Sequence, residues 1–122
     1  MIERNWAEKF ARDWVDAWNA HDLERVFSHY TDDFEMISPL IVQRMNVPSG
    51  RLRGKDSIRP YWSQGLESMP NLHFELQSVM VGVNSVAVLY TSVTAGRMVI
   101  ELFEFDDHQR VTRARALYGP SE

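Results

Sequence analysis

At position 72 the spacing of apolar residues changes and then stays the same as far as Tyr118, and that change limits the fold more than any other feature of the sequence. Before position 72, apolar residues recur every three or four positions, which indicates amphipathic helices. From Leu72 to Tyr118 they recur every second position, which indicates consecutive β-strands with one buried face. Helices grouped ahead of strands predict an α+β fold in which the helices cover one face of the sheet.

Length and composition exclude several classes of protein. The 122 residues suit one domain, 1–122, around a single core. A net charge of −4 offers no basic surface, so we expect neither nucleic acid nor a membrane as partner. The absence of cysteine excludes a disulfide scaffold, a thiol nucleophile and thiolate metal sites. Because no signal-peptide segment or 18-residue apolar run occurs, we expect a cytoplasmic protein.

Two helices are predicted at the start of the chain. The first is long, because four aromatic residues follow one another at i+4 spacing: Trp6, Phe10, Trp14 and Trp18. Asp22 is the expected N-cap of a short second helix that reaches Tyr30. Thr31, Asp32 and Asp33 are then expected to form a turn.

The middle of the chain is less regular. A short strand is predicted with Phe34, Met36 and Ser38 on one face, closed by Pro39. Residues 40–54 are predicted to form a loop with one short strand, which could cover a pocket. A third helix is expected to begin at Asp56 or Ser57, with Pro60 in its first turn.

The second half predicts a four-stranded antiparallel meander with a bulge near Ser78. Two-residue turns at positions 95–96 and 107–108 would place Glu101 opposite Tyr90 on one side and Ala114 on the other. The neighbours of Glu101 would then be apolar or small, which predicts a cavity under the helices with one acid in its wall. Loss of hydration would raise the pKa of that carboxyl.

One alternative remains open for Glu101. It could instead form an ion pair with Arg97 or another arginine of the strands.

The opposite face of the strands combines apolar side chains with guanidinium groups, which favours contact with a second subunit and predicts a homodimer. The residues predicted for that interface are Ile100, Leu102, Arg113 and Arg115.

Several segments together resemble one family. They are His21-Asp22-Leu23, Tyr30-Thr31-Asp32-Asp33, Ser38-Pro39, Gly54-Lys55-Asp56-Ser57-Ile58, Phe105 to Val111, and Ala116-Leu117-Tyr118. Over nearly its whole length the chain resembles the nuclear-transport-factor-like, or SnoaL-like, superfamily. The resemblance implies a cone-shaped α+β barrel. In it, three N-terminal helices pack on a strongly curved, mixed and mainly antiparallel sheet around a deep pocket.

The superfamily includes ketosteroid isomerases, polyketide cyclases, epoxide hydrolases and dehydratases, so the resemblance leaves the reaction open. Compared with the steroid isomerases, this sequence has Ser38 at the place of the catalytic base, Trp14 at that of the oxyanion tyrosine and Glu101 at that of the protonated acid. A serine with no activating partner cannot remove a proton from carbon, so steroid isomerisation is not expected. SnoaL-like cyclases use a single acid as a proton shuttle, and Glu101 comes nearest to that requirement.

The resulting candidate site has Glu101 as an acid and the Trp14 indole N–H as a donor. The further ligand-binding candidates are Trp18, Tyr30, Met36, Ser38, Trp62, Tyr90, Phe103, Ala114 and Tyr118. The aromatic rows could equally be plain core. We expect no cofactor and no metal, because the sequence lacks a phosphate-binding loop and its four histidines lack ligand spacing.

Two functions follow as hypotheses. The first is binding of a small, mostly apolar organic molecule in the pocket, with acid/base chemistry of the isomerase or polyketide-cyclase type through Glu101. The alternative is a ligand-binding or dimerisation module that catalyses no reaction of its own.

Overall fold

The computed structural model describes residues 1–121. Its elements, in chain order, are α1 (Arg4–Asn19), α2 (Leu23–Phe27), β1 (Tyr30–Ile37), α3 (Pro39–Met45), β2 (Arg51–Arg53), α4 (Lys55–Ser68), β3 (Phe74–Val81), β4 (Ser85–Ser92), β5 (Arg97–Phe105) and β6 (Val111–Tyr118). No helix in the described range is long and apolar enough to cross a membrane.

The six strands form one curved sheet in the order β2-β1-β6-β5-β4-β3. Strand β1 runs parallel to β6, and every other neighbouring pair is antiparallel. The register of β3 shifts between Leu76 and Ser78, at the predicted bulge. The predicted α+β class, with helices over a mixed and mainly antiparallel sheet, is therefore confirmed.

Helix α1 lies across the sheet with its apolar stripe facing inward. The buried residues of that stripe are Ala7, Phe10, Ala11, Trp14, Val15, Ala17 and Trp18. The end of the helix is fastened to β3 by one side chain. The Asn19 Nδ2 donates to the Phe74 carbonyl at 2.9 Å, and the Phe74 N–H donates to Asn19 Oδ1 at 2.7 Å. This pair holds the end of the helix over the start of β3.

The predicted turn at 31–33 is wrong, because β1 already begins at Tyr30 and the short helix ends at Phe27. Asp22 does cap that helix, with its Oδ1 accepting from the Arg25 N–H at 3.1 Å. Tyr30 pairs with Val111 in the parallel ladder, and the Val111 N–H donates to the His29 carbonyl at 2.8 Å. The next residue of β1 that pairs with β6 is Glu35, so Thr31, Asp32 and Asp33 lie in an irregular part of the strand between two paired parts.

The prediction of a loop with one short strand over residues 40–54 is only half right. The short strand is present as β2, but helix α3 occupies 39–45. Ser38 caps α3 by accepting from the Leu40 N–H at 3.1 Å, and Pro39 stands in the first turn. Asn46 ends the helix in the left-handed conformation, with φ of 56°. A serine followed by proline is typical of the start of a helix, and an asparagine in the left-handed conformation is typical of its end.

Helix α4 begins at Lys55, slightly earlier than predicted, so Pro60 lies inside the helix instead of in its first turn. Because proline has no N–H, the Asp56 carbonyl receives no helical hydrogen bond from position 60. The helix still ends before Pro70, as predicted.

The register of the meander differs from the predicted one by two residues. Glu101 lies opposite Val88 of β4 and Ala116 of β6, instead of Tyr90 and Ala114. The connections are longer than two residues: 93–96 joins β4 to β5, and 106–110 joins β5 to β6. A shift of two residues preserves which face each side chain occupies, so Glu101 still points under the helices.

Candidate functional site

A cavity of about 110 Å³ lies between helices α1, α3 and α4 and the inner face of the sheet. Seven of its eighteen lining residues are aromatic: Trp14, Trp18, Tyr61, Trp62, Phe74, Tyr90 and Tyr118. Sites for drug-sized ligands have about 300–1,000 Å³, whereas an apolar cavity of about 150 Å³ accepts benzene. A rigid occupant of this cavity is therefore about the size of one six-membered ring.

The structure places seven of the predicted site residues in the lining: Trp14, Trp18, Met36, Trp62, Tyr90, Glu101 and Tyr118. Four others lie outside it. Tyr30 and Phe103 are fully buried behind Trp14, within 6.4 Å of each other between ring centroids. Ala114 faces Phe103 because of the two-residue register shift, which brings Ala116 opposite Glu101 instead.

Ser38 also lies outside this lining, and its hydroxyl is occupied. Its Oγ accepts the Leu40 N–H of the α3 cap and the Tyr61 hydroxyl, the latter at 3.4 Å. A serine oxygen that already accepts two hydrogen bonds, with no basic group beside it, cannot serve as a proton acceptor. The position of the steroid isomerases' base therefore has a structural role here.

The Glu101 carboxyl stands in the cavity wall with 4% of the residue exposed. Its neighbours across the strands are Val88 and Ala116, and its one side-chain hydrogen bond comes from the Tyr90 hydroxyl at 3.5 Å. Burial raises the pKa of Glu101 to about 8, and the weak Tyr90 hydrogen bond offsets this only in part. At pH 7 the side chain is therefore mostly a neutral carboxylic acid.

The predicted alternative, an ion pair between Glu101 and Arg97, does not occur. Glu101 forms no salt bridge within residues 1–121. The Arg97 guanidinium instead lies over the Tyr118 ring, 4.5 Å from its centroid. With no cation to stabilise its charged form, desolvation determines the protonation state of Glu101.

Trp14 is buried at the centre of the aromatic wall, and its indole N–H is already bonded. It donates to the Tyr30 hydroxyl at 2.9 Å. Burial raises the pKa of Tyr30 well above its usual value, so the Tyr30 hydroxyl stays neutral while it accepts the hydrogen bond from Trp14. In this state Trp14 contributes a ring to the cavity, while its predicted donor is engaged with Tyr30.

Two other polar atoms of the lining have no partner. The Trp18 Nε1 and the Ser92 Oγ are buried without a hydrogen bond in the described structure. A buried polar atom left unpaired costs about 1–3 kcal/mol, so both side chains would gain from a polar atom on an occupant. Ser92 lies two positions after Tyr90 on β4 and therefore on the same inner face, but it was not among the predicted site residues.

Two arginines of the lining were also missed as site residues. Arg44 belongs to α3, a segment for which the sequence predicts a loop. Arg97 had been considered only as a partner of Glu101. Across 1–121, no group of three or more His, Asp or Glu side chains is placed to share a metal ion.

The comparisons with known proteins agree with this geometry. The chain matches the SnoaL-like domain family over residues 11–114 and belongs to that family. A SnoaL-like protein of unknown function from Burkholderia thailandensis is 48% identical, over 98% of each chain, with a TM-score of 0.94. The chain has no significant match among curated proteins.

More distant structures share the fold alone. An NTF-2 like protein of unknown function from Burkholderia xenovorans is 18% identical, over 98% of this chain and 88% of that one, with a TM-score of 0.72. TerC, co-crystallised with polyporic acid, is 12% identical, over 88% and 87% of the chains, with a TM-score of 0.71. The predicted nuclear-transport-factor-like, or SnoaL-like, fold is confirmed.

The protonation of Glu101 predicts how stability changes with pH. The folded pKa is about 8 and the ordinary value 4.5, so the native state holds one more proton than the unfolded state between these pH values. The free energy of unfolding should therefore fall as pH rises from 5 to 8, most steeply near pH 6, where the slope approaches about 1.4 kcal/mol per pH unit, and about half as steeply at pH 8. Urea denaturation at pH 5, 6, 7 and 8 measures it.

The matched control is Glu101→Gln, which keeps the shape of the side chain and cannot ionise. Tyr61, Tyr90 and Tyr118 stay protonated throughout this range, because burial raises the pKa of each. We expect the variant to lose the slope. An equal slope in both proteins would show that Glu101 ionises at an ordinary pH.

Proposed function

We propose that this chain binds a small, mostly apolar organic molecule in the aromatic cavity, and that protonated Glu101 donates a hydrogen bond to an oxygen of that molecule. One observation carries the proposal: a buried carboxyl with no counter-cation, set in a wall of aromatic rings around an open volume. Apolar walls with few polar groups are typical of small-molecule sites. A buried neutral acid would be costly to maintain in a site with no use for it.

The size of the cavity selects the ligand. A volume of about 110 Å³ admits one ring and its substituents. Four fused rings of a steroid would not enter without a large opening of the helices. Among structures of this fold, TerC has been co-crystallised with polyporic acid, which supports an organic molecule as a ligand for this fold.

The chemistry that Glu101 supports is transfer of one proton. A carboxylic acid with a pKa near 8 can protonate a developing oxyanion close to neutral pH and can then take the proton back. Glu101 is the one carboxyl among the described lining residues, so a second acid or base is missing there. This favours a substrate whose reacting carbon is already activated, as in cyclase-type or isomerase-type reactions, over epoxide hydrolysis.

A neutral six-membered ring ketone tests the binding site. Cyclohexanone should alter the emission of Trp14, Trp18 and Trp62, which line the cavity. Its affinity should be constant below pH 7 and fall about tenfold per pH unit above 8, because ionised Glu101 has no proton to donate. Fluorescence titration between pH 6 and pH 10 measures the affinity.

Two controls identify the group responsible. Glu101→Gln keeps an N–H donor and cannot ionise, so its affinity for cyclohexanone should not vary with pH. Cyclohexane lacks the oxygen and should bind the original chain equally well across the range. Absence of any fluorescence response, or the same pH profile in the Gln variant, would contradict the proposal.

We propose in addition that two copies of the chain associate through the outer face of the sheet. Exposed apolar side chains there are Met80, Met98, Ile100, Leu102 and Leu117. Ile100, Leu102 and Leu117 are contiguous, because Ile100 pairs with Leu117 in the register and Leu102 lies two positions further along β5. Contiguous exposed apolar patches mark protein interfaces more often than scattered single residues do.

The two arginines predicted for this interface differ in their surroundings. Arg113 Nε lies 3.0 Å from Glu35 Oε1, and its Nη1 lies 3.7 Å from Glu104 Oε2. Its charge is therefore used within the chain. Arg115 is exposed and has no ion pair in the part of the chain that the structure describes, so it is the charge available to a second copy.

Sedimentation velocity tests the dimer. Leu102→Glu places a charge in the middle of the apolar patch and should convert a dimer to a monomer, because a buried unpaired carboxylate opposes association. Val83→Glu is the control, since Val83 is also an exposed apolar residue but lies in the turn between β3 and β4. A dimer that survives the Leu102 substitution would place the interface elsewhere.

A further inference from the structure

Partly buried arginines in this chain fall into two groups. The half-buried ones are Arg25, Arg44, Arg59, Arg97 and Arg113. Three of them have carboxylate partners: Arg25 pairs with Asp13, Arg59 with Glu24, and Arg113 with Glu35 and Glu104. Arg44 and Arg97 have no ion pair within residues 1–121, and these are the two arginines that line the cavity.

Each of the two guanidinium groups lies beside a residue of another element that also lines the cavity. Arg97 stacks on the Tyr118 ring at 4.5 Å. Arg44 reaches from α3 to Gly65 of α4, where an added Cβ would come within 3.3 Å of its Nη1. Glycine inside a helix costs about 1 kcal/mol relative to alanine, and here its lack of a side chain leaves room for the guanidinium.

The charged side chains of the cavity lining are therefore all positive at pH 7. Arg44 and Arg97 are its two cations, and Glu101, its one carboxyl, is buried and mostly neutral at pH 7. The arginines are partly exposed, whereas Glu101, Trp14 and Tyr90 are buried, so the positive charge lies nearer to solvent than the inner part of the cavity wall. A planar guanidinium matches the two oxygens of a carboxylate.

We infer that the ligand of this cavity is a ring compound bearing one carboxylate, which Arg44 and Arg97 bind near solvent while the ring packs against the aromatic wall. This inference rests on the proposed function and names the class of molecule that the site takes. The carboxylate fixes one end of the ligand, so the opposite edge of the ring is directed toward Glu101. Two arginines from different elements, α3 and β5, then select for charge, and the rings select for shape.

Benzoate and benzamide test the inference because they share size and shape and differ in charge. At pH 7 and low salt, benzoate should bind at least tenfold more tightly than benzamide, as measured by tryptophan fluorescence. Added salt should weaken the binding of benzoate and leave that of benzamide unchanged, because partly exposed charges are screened. Inorganic phosphate at equal concentration should not displace benzoate; displacement would overturn the choice of a carboxylate.

Substitutions assign the effect to the two arginines. Arg44→Gln and Arg97→Gln should each weaken benzoate about tenfold and leave benzamide within twofold. Arg44→Lys and Arg97→Lys keep the charge and should retain part of the affinity. Arg12→Gln removes one positive charge from the exposed face of α1 and should change neither ligand. Circular dichroism confirms that each variant is folded.

The outcomes separate the inference from the proposed function. Equal binding of benzoate and benzamide would contradict the inference that the ligand is an anion, but it would agree with the proposal that the cavity binds a ring compound. An Arg12→Gln effect as large as that of Arg44→Gln would show a general charge effect and would also overturn it. Failure of benzoate, benzamide and cyclohexanone alike would refute the proposed function itself.

Discussion

Trp14 holds helix α1 at a set distance from the sheet, and the cavity depends on that spacing. Its ring lies 5.3–6.4 Å, between centroids, from the rings of Trp18, Phe74, Tyr90 and Phe103. Its N–H bonds the Tyr30 hydroxyl and so ties the helix to β1 as well. Aromatic rings are rigid and bulky, so these contacts set the separation between the helix and the sheet beside the cavity.

The same wall determines the chemistry of Glu101. Rings and small side chains remove water from the carboxyl and offer it one weak hydrogen bond, so its neutral form is favoured. Arg44 and Arg97 line the same cavity, but they are partly exposed and form no ion pair with Glu101 within residues 1–121. The cavity therefore combines a buried neutral proton donor with partly exposed positive charge. That arrangement suits a ligand with an apolar body and polar groups at both ends.

Much of the fold could be predicted from periodicity. Alternate residues of a strand lie on opposite faces of the sheet, so the alternation of apolar residues shows both where the strands are and which side chains point inward. The inward position of Glu101 was correct even though both hairpin connections are longer than expected, because a slip of two residues leaves each side chain on its own face. The identity of its neighbours could not be predicted, since loop length sets register. Ala116 therefore took the place expected for Ala114.

The site was predicted less completely, for a local reason. The segment after Ser38 lacks a clear helical stripe, so periodicity does not predict α3 there, and the predicted site for that reason does not include Arg44. Arg97 was considered in terms of a partner on its own strand, whereas the structure stacks it on an aromatic ring from β6. The role of each arginine depends on its contacts with elements that are distant in the sequence, and those contacts cannot be predicted from a single sequence.

The protonation state of Glu101 is the claim on which the chemistry depends, and infrared difference spectroscopy reads it directly. Subtracting the spectrum of Glu101→Gln from that of the original chain at pH 7 isolates this one carboxyl. The account predicts a protonated carboxylic-acid C=O band at pH 7 that disappears between pH 7 and 9, in step with a pKa of about 8. A carboxylate band already present at pH 6, with no acid band to lose, would contradict it.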